Sequence, residues 1–127
     1  MNVADSSCWL EYFADGPGAE RFAGIVKDLR DLVVPSITLY EVFKRLLSEC
    51  GNDTALRAVT YMRGAQVVDL NPEIAVAAAR LSLETKLPLA DSVILATARM
   101  FGATLWTQDV HFKGIQGVKY FEKSSAG

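Results

Sequence analysis

Apolar positions fall into two rhythms along this chain: short solid runs, and longer stretches of helical period. "NVAD", "LVVP", "QVVDL", "ATLWT" and "GVKYF" are too short for helices and predict strands. The first ends at Asp5, and Pro35 stops the second. The intervening stretches predict helices. "SSCWLEYFADG" runs to Gly16, and "GAERFAGIVKDLR" places Phe22, Ile25, Val26 and Leu29 at i, i+3, i+4 and i+7. "ITLYEVFKRLLSEC" has Ser36 as a candidate N-cap and Gly51 as its C-cap. Asn52 or Asp53 opens a helix that closes near Gly64. Asn71-Pro72-Glu73 supplies a cap, a proline at the first helical position and an acid in the first turn, for a helix reaching about Lys86. Pro88 opens a last helix, which carries Asp91 and stops at Gly102. Strands alternating with helices predict an α/β fold: a mainly parallel central sheet flanked by helices on both faces. Function in such sheets gathers beyond the carboxyl ends of the strands, where Asp5 and Asp109 fall.

Four acids are candidates for chemistry, and each also has an ordinary explanation. Asp5 precedes Ser6, Ser7 and a helix, so it suits an N-cap. Glu41 shares a helix face with Lys44, Arg45 and Ser48, opposite a stripe of Leu39, Phe43, Leu46, Leu47 and Cys50. A Glu41–Arg45 pair at i, i+4 would contribute only about 0.3–0.5 kcal/mol. Asp91 sits in a first turn, where the helix dipole favours an acid. Its helix, however, is apolar almost all round through "SVILATA", so the acid must face a partner or a cleft. Asp109 follows a strand in "TLWTQDVHF", beside the only histidine, His111, which reads as a structural or substrate-contacting imidazole more readily than an acid–base catalyst. If the four converge, their repulsion must raise some pKa values or recruit a cation. Four carboxylates without His or Cys favour a hard, oxygen-seeking ion, Mg²⁺ or Mn²⁺.

Composition narrows the classes. At 127 residues the chain suits one domain, spanning 1–127, with the tail from 121 expected to fray. Half of it is hydrophobic and 22% is charged, an ordinary globular balance. No apolar run approaches the roughly 18 residues of a membrane span, and no secretory signal is evident. Cys8 and Cys50 show no metal-ligand spacing and suit reduced thiols in a cytoplasm. A net charge of −2 argues against coating nucleic acid with a basic face, but not against a nuclease with a few local cations and a metal.

The motifs "VADSSCWLEYF", "PSITLYEVFKRL", "LPLADSVILATAR" and "LWTQDVHF", in that order, resemble PIN-domain ribonucleases of the VapC toxin type. The resemblance covers nearly the whole chain. It implies a single PIN-like domain in which Asp5, Glu41, Asp91 and Asp109 form an acidic catalytic site. Asp5 and Asp91 would be the principal Mg²⁺ ligands, with Mn²⁺ as a substitute. Glu41 and Asp109 would bind through water, complete a second metal position or orient the nucleophile. Ser6 and Thr107 match supporting hydroxyl positions. Lys44, Arg45, Arg99 and Lys113 are candidates for RNA phosphate contacts, against a plainer reading as surface cations. The implied reaction is hydrolysis of RNA to 5′-phosphate and 3′-hydroxyl ends. The implied partners are a small antitoxin protein and a second copy of the chain, in the cytoplasm. The apolar stripes of "GAERFAGIVKDLR" and "ITLYEVFKRLLSEC" could receive an antitoxin helix, although core filling explains each equally simply.

Rival readings fit less well. A phospho-acceptor signalling domain needs paired acids after the first strand, and Asp5 is followed by Ser6 and Ser7. It also needs an Asp ending a central strand, where the chain has Thr60-Tyr61-Met62. A two-aspartate phosphatase fails because Ser7 stands two places after Asp5. A non-catalytic interaction module of the same fold is opposed by the full set of four acids.

Overall fold

The computed structural model describes residues 1–123. Its strands are β1 (Asn2–Ala4), β2 (Val33–Pro35), β3 (Gln66–Val68), β4 (Thr104–Thr107) and β5 (Val118–Tyr120). The helices are α1 (Ser6–Phe13), α2 (Ala19–Val26), α3 (Ser36–Cys50), α4 (Asn52–Met62), α5 (Pro72–Thr85) and α6 (Leu89–Met100). β4 pairs in parallel with both β1 and β5, while β2 pairs in parallel with β3. A parallel bridge from Asn2 to Leu32 aligns the two ladders. The strands thus run in the order 3-2-1-4-5 across one parallel surface. Their order reverses between β1 and β4, where open parallel sheets form a crevice beyond the strand ends.

Period-two side chains explain why both faces are covered. Val3, Val33 and Leu105 point into one core with Ile74, Leu81 and Ile94 of α5 and α6. Their strand neighbours Ala4 and Val34 point the other way, into a core with Trp9, Phe22, Val42 and Met62 of α1–α4. The expected α/β architecture is therefore present, as one domain. No helix among the described residues is long and apolar enough to cross a membrane.

Several expected details change. α2 stops at Val26, and residues Leu29–Asp31 form a separate 3-10 turn. Tyr61 donates its hydroxyl hydrogen bond to the Val26 carbonyl at 2.7 Å, which satisfies an end group that a longer helix would have used. On α3 the buried line is Thr38, Val42 and Leu46, whereas Leu47 is 43% exposed and Cys50 is exposed. Gly51, at φ 90°, turns the chain so that Ala55 and Ala58 of α4 join Leu46 in one core, and this docking selects which flank of the stripe is covered. Arg45 pairs with Glu49, not with Glu41. The tail is ordered further than expected. Phe121 donates its backbone N–H to the Thr107 carbonyl at 2.9 Å, and its ring stacks on Trp106 with centroids 5.5 Å apart. The rest of the expected frayed tail, 124–127, lies outside the described residues.

Helix starts also separate cleanly. The Asn71 side chain accepts from the Ile74 N–H at 2.9 Å, so it is a true cap. Ser36 is instead the first helical residue, preceded by Pro35, and no side chain caps that end. Asn71→Ala is therefore expected to cost about 1 kcal/mol, and Ser36→Ala less than about 0.5 kcal/mol. Paired urea melts check both values, and equal losses would contradict the assignment of the caps.

Candidate active site

The crevice between β1 and β4 is built around Asp5, which is only 3% exposed. Asp5 ends β1 and caps α1, accepting from the Cys8 N–H at 3.2 Å. Its two carboxylate oxygens each receive a hydroxyl, Ser7 on one and Thr107 on the other. Each hydroxyl in turn accepts from a backbone N–H of the loop after β4: Ser7 from Gln108 at 3.0 Å, Thr107 from Asp109 at 2.8 Å. The same side chains that fix the carboxylate therefore fix the loop bearing Asp109. Burial pushes the Asp5 carboxyl above its ordinary range, the three hydrogen bonds oppose that shift, and the charge of Asp109 adds to it.

Asp91 enters from α6. Residues Ser92 to Ala98 of this helix are all buried. Its hydroxyls are satisfied internally, Ser92 on the Pro88 carbonyl and Thr97 on the Val93 carbonyl, so the helix needs no water. The mount is rigid, and the Asp91 side chain is 14% exposed. Burial, then Asp109 by its charge and by a hydrogen bond, then the charges of Asp5 and Glu41, push the Asp91 carboxyl up to about 7. The charges of the other three acids thus all act on Asp91.

Glu41 comes from α3, and its Oε1 is buried without a hydrogen-bond partner among the described residues. Burial raises its pKa, the Ser6 hydroxyl opposes this, and the charges of Asp5 and Asp109 add to the rise. Ser6 thus acts on Glu41, while the hydroxyls on Asp5 are those of Ser7 and Thr107. Nothing in the sequence marks Ser7 apart from Ser6. Two adjacent serines after a cap cannot be told apart until β4 and α3 are in place.

Asp109 accepts from the His111 N–H at 2.9 Å, and the His111 Nδ1 lies 2.8 Å from the same Asp109 oxygen. That nitrogen is also 3.8 Å from an Asp91 oxygen. Asp91, Asp109 and His111 can offer three ligand atoms within 4.8 Å of one another. The spacing Asp-x-His hints at the first contact. Only the fold brings in Asp91.

The expected cations are divided. Lys44 and Arg45 line a cleft of about 530 Å³ together with Ser6, Tyr40, Glu41 and Ala90, so of the four acids they flank Glu41. Arg99 is eight residues along α6 from Asp91, roughly 12 Å at 1.5 Å per residue, and donates to the Gln116 carbonyl. Lys113 lies over the Tyr120 ring. Among the described residues no Lys or Arg pairs with any of the four acids. A separate apolar hollow of about 350 Å³, lined by Tyr12, Phe13, Leu46, Arg57 and Tyr61, contains none of them.

Buried carboxylates, a partnerless oxygen and, among the described residues, no Lys or Arg paired with the acids are what a cation site requires. The donor set, hard oxygens with one imidazole, suits a divalent ion.

Comparison with known proteins agrees with this layout. A toxin–antitoxin complex from Klebsiella pneumoniae has a TM-score of 0.80 at 23% identity, covering 94% of this chain and 96% of that one. A sarcin-ricin-loop-cleaving VapC toxin of Mycobacterium tuberculosis has a TM-score of 0.76 at 18% identity, covering 91% and 95%. The DNA-bound VapBC of Salmonella typhimurium has a TM-score of 0.70 at 19% identity, covering 95% and 98%. At such identities the likeness is one of fold. No curated protein matches the sequence. The PIN-domain family model matches residues 3–118, from β1 into β5, and the chain therefore belongs to the PIN-domain family.

Proposed function

We propose that this protein is a divalent-metal-dependent ribonuclease, the toxin of a toxin–antitoxin pair held inactive by a small antitoxin. The observation that carries this reading is a chain of contacts at the sheet's reversal: Thr107 ties Asp5 to the Asp109 backbone, and the His111 Nδ1 lies within 3.8 Å of both Asp109 and Asp91, with no Lys or Arg among the described residues paired with these acids. Asp5 and Asp91 would hold Mg²⁺, or Mn²⁺ in its place, and Glu41 and Asp109 would complete its surroundings. Once bound, such an ion lowers the pKa of water and neutralises charge building on the phosphoryl oxygens.

The chain's own residues supply positioning. Asp5 is locked by Ser7 and Thr107, so it loses little freedom when it accepts a ligand. Asp91, its carboxyl pushed up to about 7, would give up its proton when it takes a cation. Glu41, whose Oε1 has no hydrogen-bond partner among the described residues, would bind the ion through water, complete a second metal position or orient the nucleophile. Lys44 and Arg45, along the adjoining cleft, are the cations proposed to contact RNA phosphates. The expected products carry 5′-phosphate and 3′-hydroxyl ends, as the family resemblance implies.

The antitoxin, a homodimer, their hetero-oligomer and a cytoplasmic setting belong to the same reading. It is supported by the toxin–antitoxin assemblies among the solved structures of this fold. Brief expression followed by mapping of new RNA 5′ ends tests it. New ends are expected with wild type and not with Asp91→Asn. Purified protein should cut the same RNA with Mg²⁺ or Mn²⁺ and stop with EDTA. New ends absent from both would reject the reading in favour of a non-catalytic module, and new ends present in both would remove Asp91 from the site.

A further inference from the structure

We propose that His111 is itself a metal ligand, so that the site presents a mixed donor set of imidazole nitrogen and carboxylate oxygens and prefers Mn²⁺ to Mg²⁺. The inference rests on the metal-dependent reading above and adds a residue that the four-acid pattern leaves out.

Distances carry the argument. Cis donors on an octahedral ion with bonds near 2.1 Å stand about 3.0 Å apart, and trans donors about 4.2 Å apart. The His111 Nδ1 is 2.8 Å from an Asp109 oxygen and 3.8 Å from an Asp91 oxygen, so both separations fall within the span of one coordination sphere. A bare nitrogen lone pair and an ionised carboxylate repel at 2.8 Å, so a proton or a cation belongs between them. Asp109 also fixes the imidazole's backbone, because the same oxygen accepts the His111 N–H. The ring is held beside the carboxylates even though its side chain is 59% exposed.

The consequence is selectivity. Mg²⁺ favours oxygen donors in a strict octahedron and keeps its waters, whereas imidazole suits first-row transition ions. One imidazole among the carboxylates shifts preference toward Mn²⁺. A purely positioning role is the competing account: Nδ1–H would donate to Asp109 and orient it without touching metal. Loss of affinity alone does not separate the two, since disturbing an outer-shell partner also weakens binding roughly 10–100-fold. A nitrogen signal on the metal does.

The experiment uses tag-free protein, in which His111 is the only histidine, loaded with Mn²⁺ and examined by pulsed EPR for coupling to ¹⁴N. Calorimetry with Mn²⁺ and with Mg²⁺ accompanies it. Imidazole coupling is expected in wild type and should vanish in His111→Ala, with Mn²⁺ affinity falling about tenfold and Mg²⁺ affinity changing less. The exposed side chain makes this variant mild for folding. Mn²⁺ binding without nitrogen coupling would overturn the assignment of His111 while leaving the carboxylate site intact. Failure of wild type to bind Mn²⁺ at all would overturn both.

Discussion

Asp91→Asn is expected to slow RNA cleavage by about 10³-fold or more, a barrier increase of roughly 4 kcal/mol. The substitution keeps the shape of the side chain and removes one charge. Because α6 is buried and internally hydrogen-bonded around it, the mount should survive. The loss then belongs to the site and not to the fold, which a variant melting no lower than wild type would confirm. Initial rates across a Mn²⁺ titration are the measurement. A variant that cleaves within tenfold of wild type, with an unchanged titration midpoint, removes Asp91 from the centre.

The second large effect concerns stability without metal. With EDTA present, the melting temperature is expected to fall between about pH 4 and pH 7, by an amount of the order of 10 °C. The sign follows from the direction of the shift. In the unfolded chain Asp91 titrates at its ordinary 3.8, whereas in the fold it is pushed up to about 7. Below both values the group is protonated in either state and favours neither. Between them the folded protein holds a proton that the unfolded chain has released, so raising the pH favours unfolding. Above about 7 the penalty is complete, of the order of 4 kcal/mol. Asp5 and Glu41, also raised, act in the same direction. Asp91→Asn should flatten the profile and melt higher than wild type at pH 8. At that pH Mn²⁺ should raise the wild-type melting temperature more than that of Asp5→Asn. A wild-type profile that is flat, or that rises through pH 7, would show that the acids do not repel one another as the geometry implies.

These effects trace back to features with different degrees of visibility in the sequence. Asp5 looked equally like a cap or a site residue, and it is a cap whose carboxylate also lines the crevice. The ordinary and functional explanations coincide because a strand that ends at a sheet reversal and opens a helix puts the cap in the crevice. Sequence spacing offers Glu41 as a partner for Arg45, but Arg45 turns to Glu49, one turn further on. Both pairings are four residues apart on the same helix. Each contributes only a few tenths of a kcal/mol, so local spacing cannot choose between them.

The sequence by itself determined the kind and order of the elements, from the apolar runs, the Asn71-Pro72 start and the break at Gly51. These depend on neighbours within a few residues, and backbone hydrogen bonding and caps act over that range. It also marked the four acids, since an acid on a helix as apolar as α6 has no cheap place in water or core. Only the tertiary structure decided which side of α3 is buried, that Ser7 and Thr107 clamp Asp5, and that His111 meets Asp91 across 20 residues of chain. Those choices are contacts between distant segments. They exist only once α4 has docked and β4 lies beside β1, because the free energy that selects them comes from packing whole elements together.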